Sequence, residues 1–81
     1  MITQTISHNR RNGIGDIIPH IVQTACSYRS EITFSIEDKR VNAKSIMGVM
    51  ALASQNSENL QVSVNGEDEK EAMQAMSALL A

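Results

Sequence analysis

Aromatic side chains are nearly missing: the 81-residue chain has Phe34, Tyr28 and no Trp. Any core must therefore be aliphatic, built from Ile, Val, Leu, Ala and Met. Cysteine occurs once, as Cys26, so no internal disulfide can form and a reducing compartment is the natural setting. A buried or half-buried packing role is expected for it, rather than a nucleophilic one. Basic charge is also scarce, with 7 Lys and Arg against 9 Asp and Glu and a net charge of −2. Arg10 and Arg11 are only a pair, and direct nucleic-acid binding usually rests on a dense basic patch. No apolar run approaches the ~20 residues of a membrane span, and the N-terminus alternates instead of forming a secretory signal. A cytoplasmic, soluble protein is expected, with no membrane partner, no metal site and no cofactor.

What is present suits one folded domain over residues 1–81. With 42% apolar and 20% charged residues the chain is ordinary for a globular protein. A domain this short hides only roughly 60% of its unfolded surface, so its stability margin is thin. Ile2-Thr3-Gln4-Thr5-Ile6 alternates as a half-buried strand does. His8 to Gly15 reads as a loop punctuated by Asn12-Gly13. Asp16 can cap a helix whose first turn holds Pro19 and whose core stripe is Ile17, Ile21 and Ala25, flanked by Ile18 and Val22. Ile32, Phe34 and Ile36 share one side of a second strand, and Glu37-Asp38-Lys39 turns into a short third strand, Arg40-Val41-Asn42-Ala43. A short helix follows from Ser45 to about Ser54, then a fourth strand, Leu60 to Val64, ended by Asn65-Gly66. Asp68 to Glu71 has capping-box spacing before a last helix with Ala72, Met73, Met76, Leu79 and Leu80 at helical intervals. Met73 and Met76 are expected in the core. The order βαββαβα with one apolar sheet face predicts an α+β open-faced β-sandwich: a four-stranded antiparallel sheet covered on one face by three helices. A ferredoxin-like split arrangement accounts for the longer helices about as well.

One segment does not read as core. Ile46-Met47-Gly48-Val49-Met50-Ala51-Leu52-Ala53 carries no charged or hydroxyl-bearing side chain. A helix apolar all round is normally buried on all sides, which a two-layer domain cannot manage. If Val49, Leu52 and Ala53 face the sheet, Ile46, Met47 and Met50 project toward solvent. Adjacent exposed apolar residues mark a docking surface, and flexible methionines suit more than one partner. Ser45, at the start of this helix, is a natural N-cap. The same position favours a phosphate, through the helix dipole and the free amides, and Lys44 adjoins it.

The run Lys39-Arg40-Val41-Asn42-Ala43-Lys44-Ser45-Ile46-Met47-Gly48-Val49-Met50-Ala51-Leu52-Ala53 resembles the HPr phosphocarrier family, and its regulatory Crh branch most of all. Gly66-Glu67-Asp68-Glu69, then Glu71-Ala72, repeats the family signature before the last helix, and Ser30-Glu31-Ile32-Thr33 matches as well. The resemblance covers essentially the whole chain, most weakly from Gly15 to Arg29. It implies the open-faced fold already read from the pattern. It also implies a role in the bacterial sugar phosphotransferase system and carbon catabolite repression. In such proteins a histidine in a motif like Gly-Leu-His-Thr-Arg-Pro carries phosphate from Enzyme I. The matching stretch here is Asn12-Gly13-Ile14-Gly15-Asp16-Ile17-Ile18-Pro19. Gly15 falls at the histidine position, the arginine is absent, and Asp16 would repel an incoming phosphate.

By resemblance, the surviving function is regulatory and not enzymatic. HPr kinase/phosphorylase would phosphorylate Ser45, and the product would act as co-repressor for a catabolite control repressor protein. Lys44, Ile46, Met47 and Met50 would form the contact surface, which an Enzyme I-like partner could share. A phosphocarrier using a relocated histidine, His8 or His20, is the alternative. A remnant that keeps the fold and neither activity is a third.

Overall fold

The computed structural model describes residues 1–7, 15–53 and 59–80. The expectations for His8, for the Asn12-Gly13 loop and for the helix end near Ser54 lie outside them. The strands are β1 (Ile2–Ser7), β2 (Glu31–Ile36), β3 (Lys39–Asn42) and β4 (Asn59–Asn65). The helices are α1 (Ile18–Cys26), entered through a 3-10 turn at Gly15–Ile17, α2 (Ile46–Ala53) and α3 (Glu69–Leu80).

The sheet order is β1-β4-β2-β3, every neighbour antiparallel. β4 is therefore internal and β1 an edge strand, whereas the ferredoxin-like alternative would need β1 inside the sheet. The expected open-faced sandwich is the observed one. Ile32, Phe34, Leu60, Val62 and Val64 point to one face, where Ile21, Ala25, Val49, Leu52, Ala72, Met76 and Leu80 meet them from the helices. The opposite face carries polar side chains such as Thr3 and Ser63, whose hydroxyls lie 3.2 Å apart. The alternation of the strands produces this division, because successive side chains leave opposite faces. β3 ends at Asn42, yet the pairing continues one residue further: the Ala43 N–H donates to the Ile32 carbonyl at 2.8 Å.

Two helix starts differ from the sequence reading. Asp16 is not the cap of α1. The N-cap is Ile17, with no side-chain capping bond, and Pro19 sits at N1/N2 as expected. The 3-10 turn displaces the α-helix start past Asp16 and brings its own i→i+3 bonding.

At α3 the Asp68 carbonyl accepts from the Ala72 N–H at 2.9 Å, as an N-cap should, but its carboxylate is turned to another element. It accepts from the Arg29 N–H at 2.9 Å, from the Ser30 N–H at 2.9 Å and from the Ser30 hydroxyl. Ser30 is fully buried, so both of its donors need a partner inside the fold. Glu69, not Glu71, reaches back, accepting from the Gly66 N–H at 3.3 Å. The tertiary demand of Ser30 overrides the local capping pattern.

This clasp makes stability depend on acid. The Ser30 hydroxyl, then the Arg29 N–H, hold the Asp68 carboxyl below the ordinary carboxylate range. The Gly66 N–H chiefly does the same for Glu69. Lowered folded-state values mean that the unfolded chain binds these protons more tightly. The stabilisation is therefore fully present at neutral pH and is lost as pH falls through the ordinary carboxylate range into the lowered folded values. Urea denaturation midpoints measured from about pH 7 to about pH 2 are expected to fall on that acid limb. Asp68→Asn should lower the neutral midpoint and flatten the acid slope. An equally steep acid slope in Asp68→Asn would remove Asp68 as a cause.

Candidate docking site at the start of α2

The turn before α2 is built by Asn42. Its side-chain oxygen accepts from the Lys44 N–H at 2.9 Å, and its carbonyl accepts from the Ser45 N–H at 3.0 Å. Such a turn suits Asn, whose short amide can bond to the backbone two residues on. Ser45 is thereby left exposed immediately ahead of Ile46. Its carbonyl accepts from the Val49 N–H at 3.0 Å and its hydroxyl accepts from the Gly48 N–H at 3.2 Å. This is the N-cap expected from the sequence. Gly48 lets the helix approach β3: an added Cβ would stand 3.3 Å from the Val41 Cβ.

The apolar helix divides as the two-layer geometry requires. Val49 and Leu52 are fully buried, while Ile46, Met47 and Met50 are 47%, 79% and 55% exposed. Together with Ser45 they form an uncharged apolar surface headed by a hydroxyl. Lys44, the nearest cation in sequence, is half-buried and donates from its ammonium to the Tyr28 carbonyl at 2.7 Å. Cys26 is exposed, contrary to the packing role expected of it. It closes α1 one residue beyond the buried Ala25, about 100° off the core stripe. Its thiol lies 3.9 Å from the Lys44 carbonyl. The links from Cys26 and Tyr28 to Lys44 join the end of α1 to the flank of Ser45. No spacing in the sequence announces them, because they depend on where α1 ends in space.

Gly15 opens the 3-10 turn on the surface, and nothing lies within 4 Å of the position a Cβ would take. A side chain there would have open space. His20 is exposed in the first turn of α1, so the helix start and not its second turn presents it. Among the described residues no cluster of His, Cys, Asp and Glu is arranged to hold a metal ion, and no helix is long and apolar enough to cross a membrane. A phosphate on the Ser45 hydroxyl would meet the start of a helix, where unpaired N–H groups and the dipole favour negative charge.

Residues 17–81 match the family model described as the PTS HPr component phosphorylation site. The chain is 49% identical over 59 residues to the phosphocarrier protein HPr of Xylella fastidiosa, covering 73% of this chain and 66% of that protein. The matched stretch thus spans just under two thirds of that relative. Against the HPr-like protein Crh of Halalkalibacterium halodurans it is 44% identical over 59 residues, 73% of this chain and 70% of the relative. The crystal structure of HPr-C-His from Thermoanaerobacter tengcongensis superimposes with a TM-score of 0.89 at 36% identity, covering 99% of this chain and 91% of that one. Sequence and architecture agree: the chain belongs to the HPr family.

Proposed function

We propose that this chain is a regulatory, non-enzymatic HPr-type protein, phosphorylated on Ser45 by HPr kinase/phosphorylase in the cytoplasm. Phosphorylated, it acts as co-repressor of a catabolite control repressor protein, with Lys44, Ile46, Met47 and Met50 as the contact surface. The observation that carries this reading is an exposed N-cap hydroxyl adjoining three exposed apolar side chains. Phosphorylation adds roughly −1.5 to −2 of charge beside that surface and leaves the helix start favoured. An Enzyme I-like partner can use the same surface.

Loss of the histidine phosphocarrier role is part of the proposal. What supports it is the resemblance, which sets Gly15 at the motif's histidine position with Asp16 after it. Incubation with HPr kinase/phosphorylase and ATP, read by mass spectrometry, is expected to add one phosphate to the wild type and none to Ser45→Ala. An equal yield in the variant would remove the mechanism. The exposure of His20 near the start of α1 favours a second reading, a phosphocarrier with a relocated histidine. It requires acid-labile phosphate after treatment with Enzyme I and phosphoenolpyruvate, lost in His20→Ala.

A further inference from the structure

Apart from the N-terminal Met1, the methionines fall into two sets. Met73 and Met76 are 4% and 0% exposed under α3, whereas Met47 and Met50 stand in solvent three residues apart on α2. Core packing accounts for the first pair. It does not account for the second, whose thioethers are held open to solvent beside Ser45. We propose that Met47 and Met50 are reversible oxidation sites, and that their sulfoxidation by a peroxide-class oxidant switches off docking at the Ser45 end of α2. The inference rests on the docking role given to this surface above.

The chemistry needs only the thioether and the oxidant. A sulfur lone pair attacks one oxygen of hydrogen peroxide; the S–O bond forms as the O–O bond breaks. The sulfur gives up two electrons, the attacked oxygen's proton passes to the departing hydroxide, and water is released. The product is a polar, chiral sulfoxide in place of a flexible apolar side chain, and sulfoxide reductases reverse it. A sulfoxide oxygen buried without a donor carries a desolvation penalty, so a partner closing over Met47 and Met50 loses affinity. The Ser45 cap is untouched, because its bonds use only the Ser45 oxygens and the Gly48 and Val49 N–H groups. The fold is untouched as well, since neither sulfur is in the core. The device is therefore a binding switch and not an unfolding switch.

The test uses full-length Cys26→Ser protein, so that the exposed thiol does not react, phosphorylated on Ser45 and treated with hydrogen peroxide. Peptide mapping is expected to find 16 Da additions (one oxygen, about 16 Da) on Met47 and Met50 well before Met73 and Met76. The melting temperature should be unchanged. Affinity for the catabolite control repressor should drop about tenfold or more, and methionine sulfoxide reductases should restore it. In Met47→Leu/Met50→Leu, which keeps the apolar surface without sulfur, peroxide should leave binding intact. If the untreated protein binds and the oxidised protein binds equally well, the switch is overturned while the docking role stands. Oxidation of Met73 and Met76 at the same rate, with loss of fold, overturns it too. Failure of the untreated protein to bind overturns the docking role, and the switch with it.

Discussion

Gly66→Ala is expected to leave this domain largely unfolded on mild warming. Gly66 has φ 157°, in a region that L side chains rarely adopt. An added Cβ would also stand 2.6 Å from the Ser30 Cα, a backbone atom that cannot swing aside. Strain at such a dihedral costs about 1–3 kcal/mol, and forced overpacking costs a similar amount. Together they reach about 2–6 kcal/mol. A chain of this size has a total of roughly 4–12 kcal/mol at the usual stability per residue. The shift would also pull Ser30 from the Asp68 carboxylate, so the loss compounds. Circular dichroism should show the melting temperature lowered by roughly 8 °C or more. Gly15→Ala is the matched control, since nothing lies within 4 Å of its added Cβ, and it should melt close to wild type. A Gly66→Ala melt as mild as that of Gly15→Ala would contradict the close approach to Ser30.

Met47→Asp is expected to abolish docking while leaving the fold alone. Met47 is the most exposed large apolar side chain of the chain's described residues, so replacing it removes almost no core packing. Surface changes of this kind usually alter stability by no more than about 0.5 kcal/mol. At an interface the same change places a carboxylate where the partner meets an apolar side chain. It also sets a charge two residues from the phosphate on Ser45, where both are negative. Central interface residues often contribute about 2 kcal/mol or more, which is roughly 30-fold in affinity. Calorimetric titration of Ser45-phosphorylated protein with the catabolite control repressor should show at least that loss, with the melting temperature held. Met76→Asp is the opposing control: that position is fully buried, and an unpaired charge there should prevent folding. Undiminished repressor affinity in Met47→Asp would place the contact surface elsewhere.

Much of the fold was legible because its signals are periodic and short-range. Alternation around Ile32 and Phe34 and around Leu60, Val62 and Val64 marked strands with one apolar face. The i, i+4 recurrence of Ile21 with Ala25, and of Ala72 with Met76, marked helices over that face. The exposed face of α2 was legible for a related reason. A helix apolar on every side cannot be enclosed by a two-layer domain, so composition alone predicted that Ile46, Met47 and Met50 would be left outside. What failed were inferences about single side chains. Asp16 and Asp68 both carry the right chemistry for capping, but a 3-10 turn displaced the first and a buried serine elsewhere in the chain claimed the second. Cys26 was expected to pack, and a rotation of one residue past the core stripe exposed it.

The sequence by itself determined the element order, the one-sided sheet, a core aliphatic but for Phe34, and the apolar helix headed by Ser45. These follow from patterns within a few turns or strands, where neighbours along the chain are neighbours in space. Only the tertiary structure decided that β4 lies between β1 and β2. It alone joined Asp68 to Ser30, pressed Gly66 against the Ser30 backbone, and fixed the Lys44 ammonium to the Tyr28 carbonyl. Each of these pairs residues from well-separated parts of the chain, and such contacts are set by how the layers close on one another, not by any local preference.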